Sequence, residues 1–255
     1  MSFVGKVVLI TGASSGIGAA TAVHFAELGA SLSIAGRNLE NLNSVAEQCK
    51  TTKPLVLTGE LTNEADVKKI IEATIKHYGK LDVLVNNAGT LESGSIENTS
   101  LEQYDRVFNV NVRSLYHLTM LAVPHLIKSK GNIVNVSSVT GIRAFPGVLA
   151  YCMSKSAVDQ FTRCMALELA EKHVCNFILI LNPGVIQTNL HKRSGMSKEQ
   201  LDAFFEHSKQ THALGRSGNP IEVAKAISFL ASENASFITG ETLPVDGGRH
   251  AMCPR

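Results

Sequence analysis

The sequence has no apolar run long enough to cross a membrane. A membrane-spanning helix needs about 18–20 consecutive apolar residues, whereas the longest apolar run here, FILIL at 177–181, has the length of a strand. The first residues, MSFVGKVVLITG, enter a predicted strand at once and leave no space for a secretion signal. The last residues, AMCPR, match no common lipidation or retention signal. We therefore expect a cytoplasmic protein with no membrane partner.

Strong charge and metal-ligand patterns are also absent. The formal net charge is +2 and no long basic run occurs, so nothing points to a nucleic-acid partner. The five cysteines form no CxxC pair, and this odd count in a chain of 255 residues favours reduced, structural thiols over a disulfide framework. The nine histidines show no HExxH or other ligand spacing, so we expect no metal site.

What the sequence does contain is an alternation of short β-branched runs with longer helical patterns. Strands that are apolar throughout and alternate with helices indicate a parallel sheet covered on both faces. This predicts a doubly wound α/β fold of the Rossmann type with seven strands. No linker rich in proline, glycine or serine divides the chain, so we expect a single domain over 1–255. The predicted strands are 6–11, 31–35, 54–58, 81–87, 132–137, 177–181 and 242–246.

One stretch, 187–216, departs from this alternation. It is polar, lacks a strand, and contains a short helix opened by Ser197 and Gln200. Because it follows the carboxyl end of a strand, where open α/β sheets bind ligands, we expect a mobile lid there. The other helices are predicted over 16–28, from Leu39, over 64–77, over 100–127 as one long helix, from YCMSK (151–155) to about Lys172, and from Asn219.

The first strand runs directly into TGASSGIG at 11–18. Gly12, Gly16 and Gly18 allow a tight turn and a close approach of the backbone to a ligand. The helix that follows presents free N–H groups and a positive dipole end to a diphosphate. The spacing is G-x-x-x-G-x-G rather than G-x-G-x-x-G, and a plain strand–helix turn is the alternative. The context favours a dinucleotide.

The end of the second strand distinguishes between the two nicotinamide dinucleotides. An acidic residue at this place would hold the ribose 2′-OH of NAD. The sequence instead reads AGRN at 35–38, with no carboxylate and with Arg37, whose guanidinium can pair with a 2′-phosphate. The prediction is NADP(H), with Arg37 as an ordinary solvated arginine the alternative.

Taken together, these motifs resemble those of the short-chain dehydrogenase/reductase family, over nearly the whole chain. The resemblance is carried by TGASSGIG (11–18), NNAG (86–89), Asn111 in NVNVRS, Ser138 in NVSS, YCMSK (151–155) and NPGVIQT (182–188). It is similar to NADP-preferring members such as 3-oxoacyl-carrier-protein reductases and carbonyl or hydroxysteroid reductases.

The resemblance implies a catalytic set of Asn111, Ser138, Tyr151 and Lys155. Tyr151 would give its proton to a carbonyl oxygen, and Lys155, one helical turn away, would lower the phenol pKa through its charge. None of the other tyrosines has a lysine four residues later. Ser138 would hold the substrate carbonyl. Asn111 would bind a water that links Lys155 to solvent.

The resemblance also implies the residues that bind the cofactor. NNAG would line its adenine–ribose side, and Ile186 and Thr188 would hold the nicotinamide carboxamide. Many relatives have D-x-T where this chain has Glu60-Leu61-Thr62, so the adenine contact is left open. The full predicted set is Gly12, Ser14, Ser15, Gly16, Ile17, Gly18, Arg37, Asn38, Leu61, Asn87, Ala88, Gly89, Tyr151, Lys155, Pro183, Gly184, Ile186 and Thr188.

The segments expected to border the substrate, 90–96, 139–148 and the lid, are mostly apolar. They favour an apolar ketone or secondary alcohol, such as a steroid-like ketone or a 3-oxoacyl thioester. Arg143 is the exception, either meeting an acidic group of the substrate or lying solvated in its loop. The apolar side chains there are Ile142, Phe145, Val148, Leu190, Met196 and Leu201.

Three functions fit the sequence: an NADPH-dependent carbonyl reductase, an NAD-dependent alcohol or hydroxysteroid dehydrogenase, and a non-catalytic NADP-binding sensor or scaffold. The complete catalytic set favours the first two. The aliphatic faces at 104–127 and 155–170 are either ordinary core or, as the resemblance implies, part of a homo-oligomeric interface, a tetramer or a dimer. Cys152 beside Tyr151 is interpreted as a packing residue rather than a redox switch.

Overall fold

The computed structural model describes residues 1–170 and 178–253. Its centre is one parallel sheet with the order β3-β2-β1-β4-β5-β6-β7. This confirms the predicted doubly wound α/β fold with seven strands. The strands are β1 (Val7–Thr11), β2 (Ser31–Gly36), β3 (Leu55–Thr58), β4 (Val83–Asn86), β5 (Asn132–Val136), β6 (Ile178–Pro183) and β7 (Thr242–Val245). The predicted start of the sixth strand, Phe177, lies outside the described residues.

Helices cover both faces of the sheet. They are α1 (Gly16–Glu27), α2 (Leu39–Gln48), α3 (Glu64–Tyr78), α4 (Leu101–Phe108), α5 (Ser114–Ser129), α6 (Leu149–Ala170), α7 (Leu190–Arg193), α8 (Lys198–Thr211) and α9 (Pro220–Leu230). The predicted end of α6 near Lys172 lies outside the described residues. Short 3₁₀ turns occur at Val139–Gly141 and Glu233–Ala235.

The first strand shows how the two core layers arise. Side chains alternate between the faces of a sheet, so Val8 and Ile10 join one layer and Val7 and Leu9 join the other. The first layer is covered by α1 and α9, which pack closely against each other, and the second by α3, α5 and α6. Because both faces are buried, the strand must be apolar at every position, which is the pattern seen in the sequence.

The predicted long helix over 100–127 is interrupted. A π-helical turn, Asn109–Arg113, separates α4 from α5. Such a turn inserts one extra residue into the helical ladder and changes which side chains face the sheet. Here it directs Asn111 into the protein, where its side chain is buried.

Three helix starts are capped to different degrees. Ser197 and Gln200 form both bonds of a capping box at α8. At α9 the Glu222 side chain accepts from the Asn219 N–H at 2.8 Å. Ser100 caps α4 by accepting from the Gln103 N–H, but the Gln103 side chain donates to the Ser93 carbonyl at 2.7 Å instead of returning to the cap.

Candidate active site

A cleft of about 680 Å³ opens at the carboxyl ends of the strands. The strand order reverses direction between β1 and β4, and such switch points form crevices in doubly wound sheets. Eighteen of the twenty residues predicted for cofactor binding and catalysis line this cleft: Gly12, Ser14, Ser15, Gly16, Ile17, Arg37, Asn38, Leu61, Asn87, Ala88, Gly89, Ser138, Tyr151, Lys155, Pro183, Gly184, Ile186 and Thr188. The two that do not line the cleft are Gly18 and Asn111.

The glycine-rich loop has the shape of a phosphate cradle. Gly12 and Gly16 have φ values of 64° and 57°, which favour glycine, and a Cβ on Gly12 would lie 2.9 Å from the Ala88 Cα. Ser15 is the N-cap residue of α1, but its side chain makes no capping bond, and the first turn holds no acidic residue. The amide groups at this helix start therefore fit an anionic ligand such as a diphosphate.

Gly18, which was also predicted to bind the cofactor, does not line the cleft. A Cβ at this position would lie 2.4 Å from the Gly12 carbonyl oxygen and 2.5 Å from Asn87 Nδ2. Gly18 therefore allows α1 to pack against the loop, and it supports the cradle from behind.

Arg37 lies at the mouth of the cleft and is paired with a carboxylate. Its Nη1 is 3.3 Å from Glu60 Oε2, and the two side chains are 71% and 41% exposed. Glu60 stands at the first position of the motif that departs from D-x-T. The neighbouring Asn38 caps α2 by accepting from the Asn41 N–H at 2.8 Å. An anion bound by Arg37 would have to share or replace the Glu60 contact.

The NNAG motif ties the centre of the sheet together. Asn87 Nδ2 donates to the Thr11 carbonyl at 2.8 Å, joining the ends of β1 and β4. Asn86 Nδ2 donates to Asn135 Oδ1 at 2.8 Å, joining β4 to β5. The motif thus fixes the positions of the strand ends that form the floor of the cleft.

Asn111 stands behind the cleft wall. Its Nδ2 donates to the Thr90 carbonyl at 2.9 Å and to Ser154 Oγ at 3.0 Å, and its Oδ1 accepts from the Thr90 N–H at 2.8 Å. A Cβ on Gly89 would lie 3.3 Å from Asn111 Oδ1 and 3.6 Å from Lys155 Nζ. The π-helical turn therefore places Asn111 against Gly89 and Thr90, and Gly89 lies between Asn111 and Lys155.

Tyr151 and Lys155 lie one turn apart on α6, and both are buried. Lys155 Nζ is 5.7 Å from the centroid of the Tyr151 ring and donates to the Val136 carbonyl at 3.0 Å. Ser138 follows β5 and accepts from the Thr140 N–H at 3.1 Å, which fixes its hydroxyl at the cleft. These three side chains meet as the sequence predicts.

The protonation of this cluster differs from the expectation in one respect. Burial raises the pKa of Tyr151 to about 12, and the Ser138 hydroxyl offsets part of that rise. Burial lowers the pKa of Lys155 to about 8, and the Asp159 carboxylate opposes this shift. The predicted lowering of the Tyr151 pKa is not seen, because burial removes the phenolate from water and this effect exceeds the lowering by the Ser138 hydrogen bond.

Asp159 is a buried acid that belongs to none of the motifs predicted to form the site. Its Oδ2 accepts from Asn182 Nδ2 at 3.2 Å, and burial raises its pKa. The signal was present, because Tyr151, Lys155 and Asp159 recur at intervals of four along one helix face.

The loop after β6 carries the predicted residues Pro183, Gly184, Ile186 and Thr188. A Cβ on Gly16 would lie 3.1 Å from Thr188 Cγ2, so this loop reaches the glycine-rich loop. Behind it lies His212, whose Nε2 accepts from the Val185 N–H at 3.1 Å. His212 was also missed, because its contact joins positions far apart in the sequence.

Segment 187–216 contributes two further side chains to the cleft. Arg193 on α7 donates to Ser15 Oγ at 3.0 Å, which links this segment to the glycine-rich loop. His191 lines the cleft beside Phe204, and burial lowers its pKa to about 4, so it is neutral near pH 7.

Arg143 does not line the cleft, and its guanidinium binds backbone carbonyls near the end of the described chain. Its Nη1 donates to the carbonyls of Arg249, His250 and Met252 at 3.2, 2.8 and 2.7 Å. The Arg249 guanidinium in turn lies 4.5 Å from the Phe145 ring centroid. Both proposed roles of Arg143 are therefore replaced by a structural one, which joins the 139–148 loop to residues 249–252.

Two features are absent from the part of the chain that the structure describes. In residues 1–170 and 178–253, no helix is long and apolar enough to span a membrane. The same residues contain no group of three or more histidine, cysteine, aspartate or glutamate side chains arranged to hold a metal ion.

Comparison with known proteins places the chain in a family. Residues 12–250 match a family model described as enoyl-(acyl carrier protein) reductase. The chain is 38% identical over 253 residues to the 3-oxoacyl-acyl-carrier-protein reductase FabG of Thermotoga maritima, covering 97% of this chain and 99% of that protein. It is 37% identical over 251 residues to the meso-2,3-butanediol dehydrogenase of Serratia marcescens, covering 98% and 97%.

Solved structures support the same family assignment. A short-chain dehydrogenase/reductase of unknown function from Caenorhabditis elegans, determined with cofactor, superposes with a TM-score of 0.92 at 34% identity, covering 98% of this chain and 97% of that one. The chain belongs to the short-chain dehydrogenase/reductase family. It is accordingly an oxidoreductase that acts on carbonyl or alcohol groups with a nicotinamide cofactor.

Proposed function

We propose that the protein is an NADPH-dependent reductase of lipophilic ketones, reversible to the oxidation of secondary alcohols. The observation that carries this proposal is the meeting of Tyr151, Lys155 and Ser138 at the floor of a cleft whose other end is a glycine-rich phosphate cradle. A proton donor and a dinucleotide site in one cleft fit hydride transfer to a carbonyl.

The residues of the cleft fit the cofactor. The glycine-rich loop and the start of α1 would hold the diphosphate, and Arg37 with Asn38 would face the ribose 2′-phosphate. Leu61 and the Asn87–Gly89 backbone would border the adenosine. The loop from Pro183 to Thr188 would hold the nicotinamide, which supplies the hydride when it is bound.

Each catalytic side chain then has a task at a stated atom. The Tyr151 hydroxyl donates its proton to the carbonyl oxygen, and its raised pKa keeps the phenol protonated at neutral pH. Ser138 donates a hydrogen bond to the same oxygen. Lys155 stabilises the phenolate that remains after the transfer. Asn111 positions the segment around Thr90 beside Lys155.

Leu190, one of the six apolar side chains predicted to border the substrate, lines the cleft and supports an apolar substrate. The other five do not line it. Val148 forms a β-bridge with Gly94, which joins the 139–148 and 90–96 segments. A 3-oxoacyl thioester is supported by the name of the Thermotoga maritima relative, and a small diol or ketone by that of the Serratia marcescens relative.

Several organisational features belong to the same proposal. We propose that 1–255 form one domain and that 187–216 act as a lid, supported by the Arg193 bond to the glycine-rich loop. A cytoplasmic homotetramer, or a dimer, is proposed from the family pattern.

A variant at the proton donor tests the mechanism. Tyr151→Phe removes the transferable proton, so kcat for ketone reduction should fall by about 10²–10⁴-fold, while NADPH binding measured by nicotinamide fluorescence persists. Tyr116→Phe is the matched control, because Tyr116 is 56% exposed on α5. Near-normal turnover by Tyr151→Phe would overturn the mechanism.

An NAD-dependent dehydrogenase is the second candidate, and the Glu60 carboxylate beside Arg37 favours it, because that charge opposes a 2′-phosphate. A panel of ketones and alcohols, followed at 340 nm with each cofactor, separates the two. Higher kcat/KM with NAD and alcohols would replace the proposed function by the alternative.

A further inference from the structure

His212 caps the carboxyl end of α8 and is buried, with 3% of its surface exposed. Its two ring nitrogens contact backbone groups of different elements. Nδ1 lies 2.8 Å from the Ser208 carbonyl on α8, and Nε2 lies 3.1 Å from the Val185 nitrogen in the loop after β6. The ring therefore bridges segment 187–216 to the loop that borders the cleft.

The partners of the ring define its protonation state. The Ser208 carbonyl can only accept, so Nδ1 must carry a proton, and the Val185 N–H can only donate, so Nε2 must be free of one. His212 is thus neutral, with its proton on Nδ1. A second proton would place an N–H against an N–H and break the Val185 bond.

The loop is built to meet this ring closely. A Cβ on Gly184 would lie 2.9 Å from both His212 Nε2 and the Asp246 Cα, so the absence of a side chain there lets imidazole and loop make contact. On the other side of the same loop, Gly184 and Ile186 line the cleft.

We propose that neutral His212 positions the Pro183–Thr188 loop for the nicotinamide and ties it to α8, so that protonation of His212 weakens cofactor binding. His212 acts through the loop and touches no reacting atom, so it is a positioning residue. The inference rests on the proposed function, because the nicotinamide contact of this loop is part of it.

The charged groups around the ring come from the segment after β7. Burial lowers the pKa of His212; the Arg249 guanidinium adds to that shift, while the Asp246 carboxylate and the Ser208 carbonyl oppose it. Asp246 is itself engaged by His250 Nδ1 at 2.9 Å. Thr211 places its hydroxyl 3.3 Å from Nδ1. Because burial lowers this pKa, the bridge is complete above the ordinary histidine value of 6.5 and is lost only as the pH falls through the lowered pKa.

A first experiment reads the ring directly. Long-range ¹H–¹⁵N spectra of ¹⁵N-histidine-labelled full-length protein should show a neutral Nδ1–H tautomer for His212, assigned by its loss in His212→Gln. The Val185 amide resonance should titrate together with the ring. An Nε2–H tautomer, or a Val185 amide resonance that does not shift when the ring titrates, would overturn the inference whether or not the protein is active.

A second experiment tests the consequence for binding. His212→Gln keeps an acceptor near Nε2 but cannot gain a proton, and His24→Gln is the matched control, a histidine bonded to Ser228 Oγ at 3.0 Å outside the cleft. As the pH is lowered from 7.5 through the lowered pKa of His212, which the Val185 titration locates, the KM for NADPH should rise in the wild type and in His24→Gln and stay level in His212→Gln. His212→Leu, which leaves the Val185 N–H unpaired, should raise this KM about tenfold at all pH values.

The outcomes separate the two proposals. Parallel pH profiles in the wild type and His212→Gln would refute the role of His212 while leaving the proposed function intact. Failure of the wild type to bind either nicotinamide cofactor by fluorescence would refute the proposed function, and the tautomer and the Val185 titration would then decide the bridge alone.

Discussion

Arg37 and Glu60 form an ion pair at the end of the cleft where the adenosine is proposed to bind. Because the carboxylate competes with a 2′-phosphate for the guanidinium, Glu60→Gln should lower the Kd for NADPH and leave the Kd for NADH nearly unchanged. Fluorescence titration with each cofactor measures both constants. The control is Glu47→Gln, an exposed residue of α2 outside the cleft. Weaker NADPH binding by Glu60→Gln would show that the carboxylate helps to orient Arg37.

Asp159 gives a second prediction at this scale, through the charge of Lys155. The carboxylate raises the pKa of Lys155 against the larger lowering by burial, so Asp159→Asn should lower that pKa further. If the ammonium is required, activity is lost as the pH rises through the Lys155 pKa, about 8 in the wild type. The descending limb of kcat/KM against pH should therefore move to lower pH in the variant.

The matched control for this prediction is Asp105→Asn, an exposed aspartate on α4. It should leave the limb where the wild type has it. A limb that stays in place, or moves to higher pH, in Asp159→Asn would mean that Asp159 does not act on Lys155.

Contacts between residues that are close in the sequence could be predicted, whereas contacts between distant residues could not. Tyr151 and Lys155 were predicted because their partnership is local, one turn along one helix. His212 and Val185 could not be predicted as partners, since their contact depends on how α8 packs behind the loop after β6. The sign of the Tyr151 shift was also out of reach, because burial is a property of the folded protein.

At the scale of elements, most helices and strands follow local patterns, and the exception is instructive. The apolar spacing over 100–127 predicts one helix, and both α4 and α5 fit it. The π-helical turn between them is set by the fit of Asn111 to Thr90 and Ser154, contacts that the periodicity of the sequence does not contain.

The capping box of α8 gives a prediction for this scale. Ser197→Ala removes the side-chain bond to the Gln200 N–H, and the loss of such a cap costs about 1 kcal/mol. Hydrogen–deuterium exchange should quicken in the first turns of α8 while the melting temperature changes little. If 187–216 is a lid, the KM for the ketone should rise as well.

Ser100→Ala is the matched control for that experiment, because Ser100 caps α4 in the same way. Its exchange should quicken in α4 and not in α8. Unchanged exchange of α8 in Ser197→Ala would mean that packing, rather than the cap, holds this helix start.

At the scale of the whole molecule, the alternation of apolar strands and helices was sufficient to predict a parallel sheet of seven strands. The assembly of copies is a different matter, since the aliphatic faces of α5 and α6 were open to two interpretations. The structure buries part of these faces but leaves Tyr116, Met120 and Leu167 exposed. Exposed apolar side chains on adjacent helices are suited to a subunit interface.

Leu167 tests that interface, because its side chain is 76% exposed on α6. If α6 packs against another copy, Leu167→Arg should reduce the mass measured by light scattering coupled to size-exclusion chromatography. Val4→Arg, at a residue 77% exposed near the amino end, is the control. A wild type that is monomeric, or an unchanged assembly in Leu167→Arg, would exclude α6 as the interface.

The hydrogen bonds from Arg143 to carbonyls of residues 249–252 affect how sequence differences between family members should be interpreted. The outermost residues of a chain are commonly set aside when relatives are aligned for specificity. Here they brace the loop that carries Phe145, and Arg249 itself lies against the Phe145 ring. A difference at 249–252 would therefore change how the 139–148 loop is held, even between relatives that share every residue of the cleft.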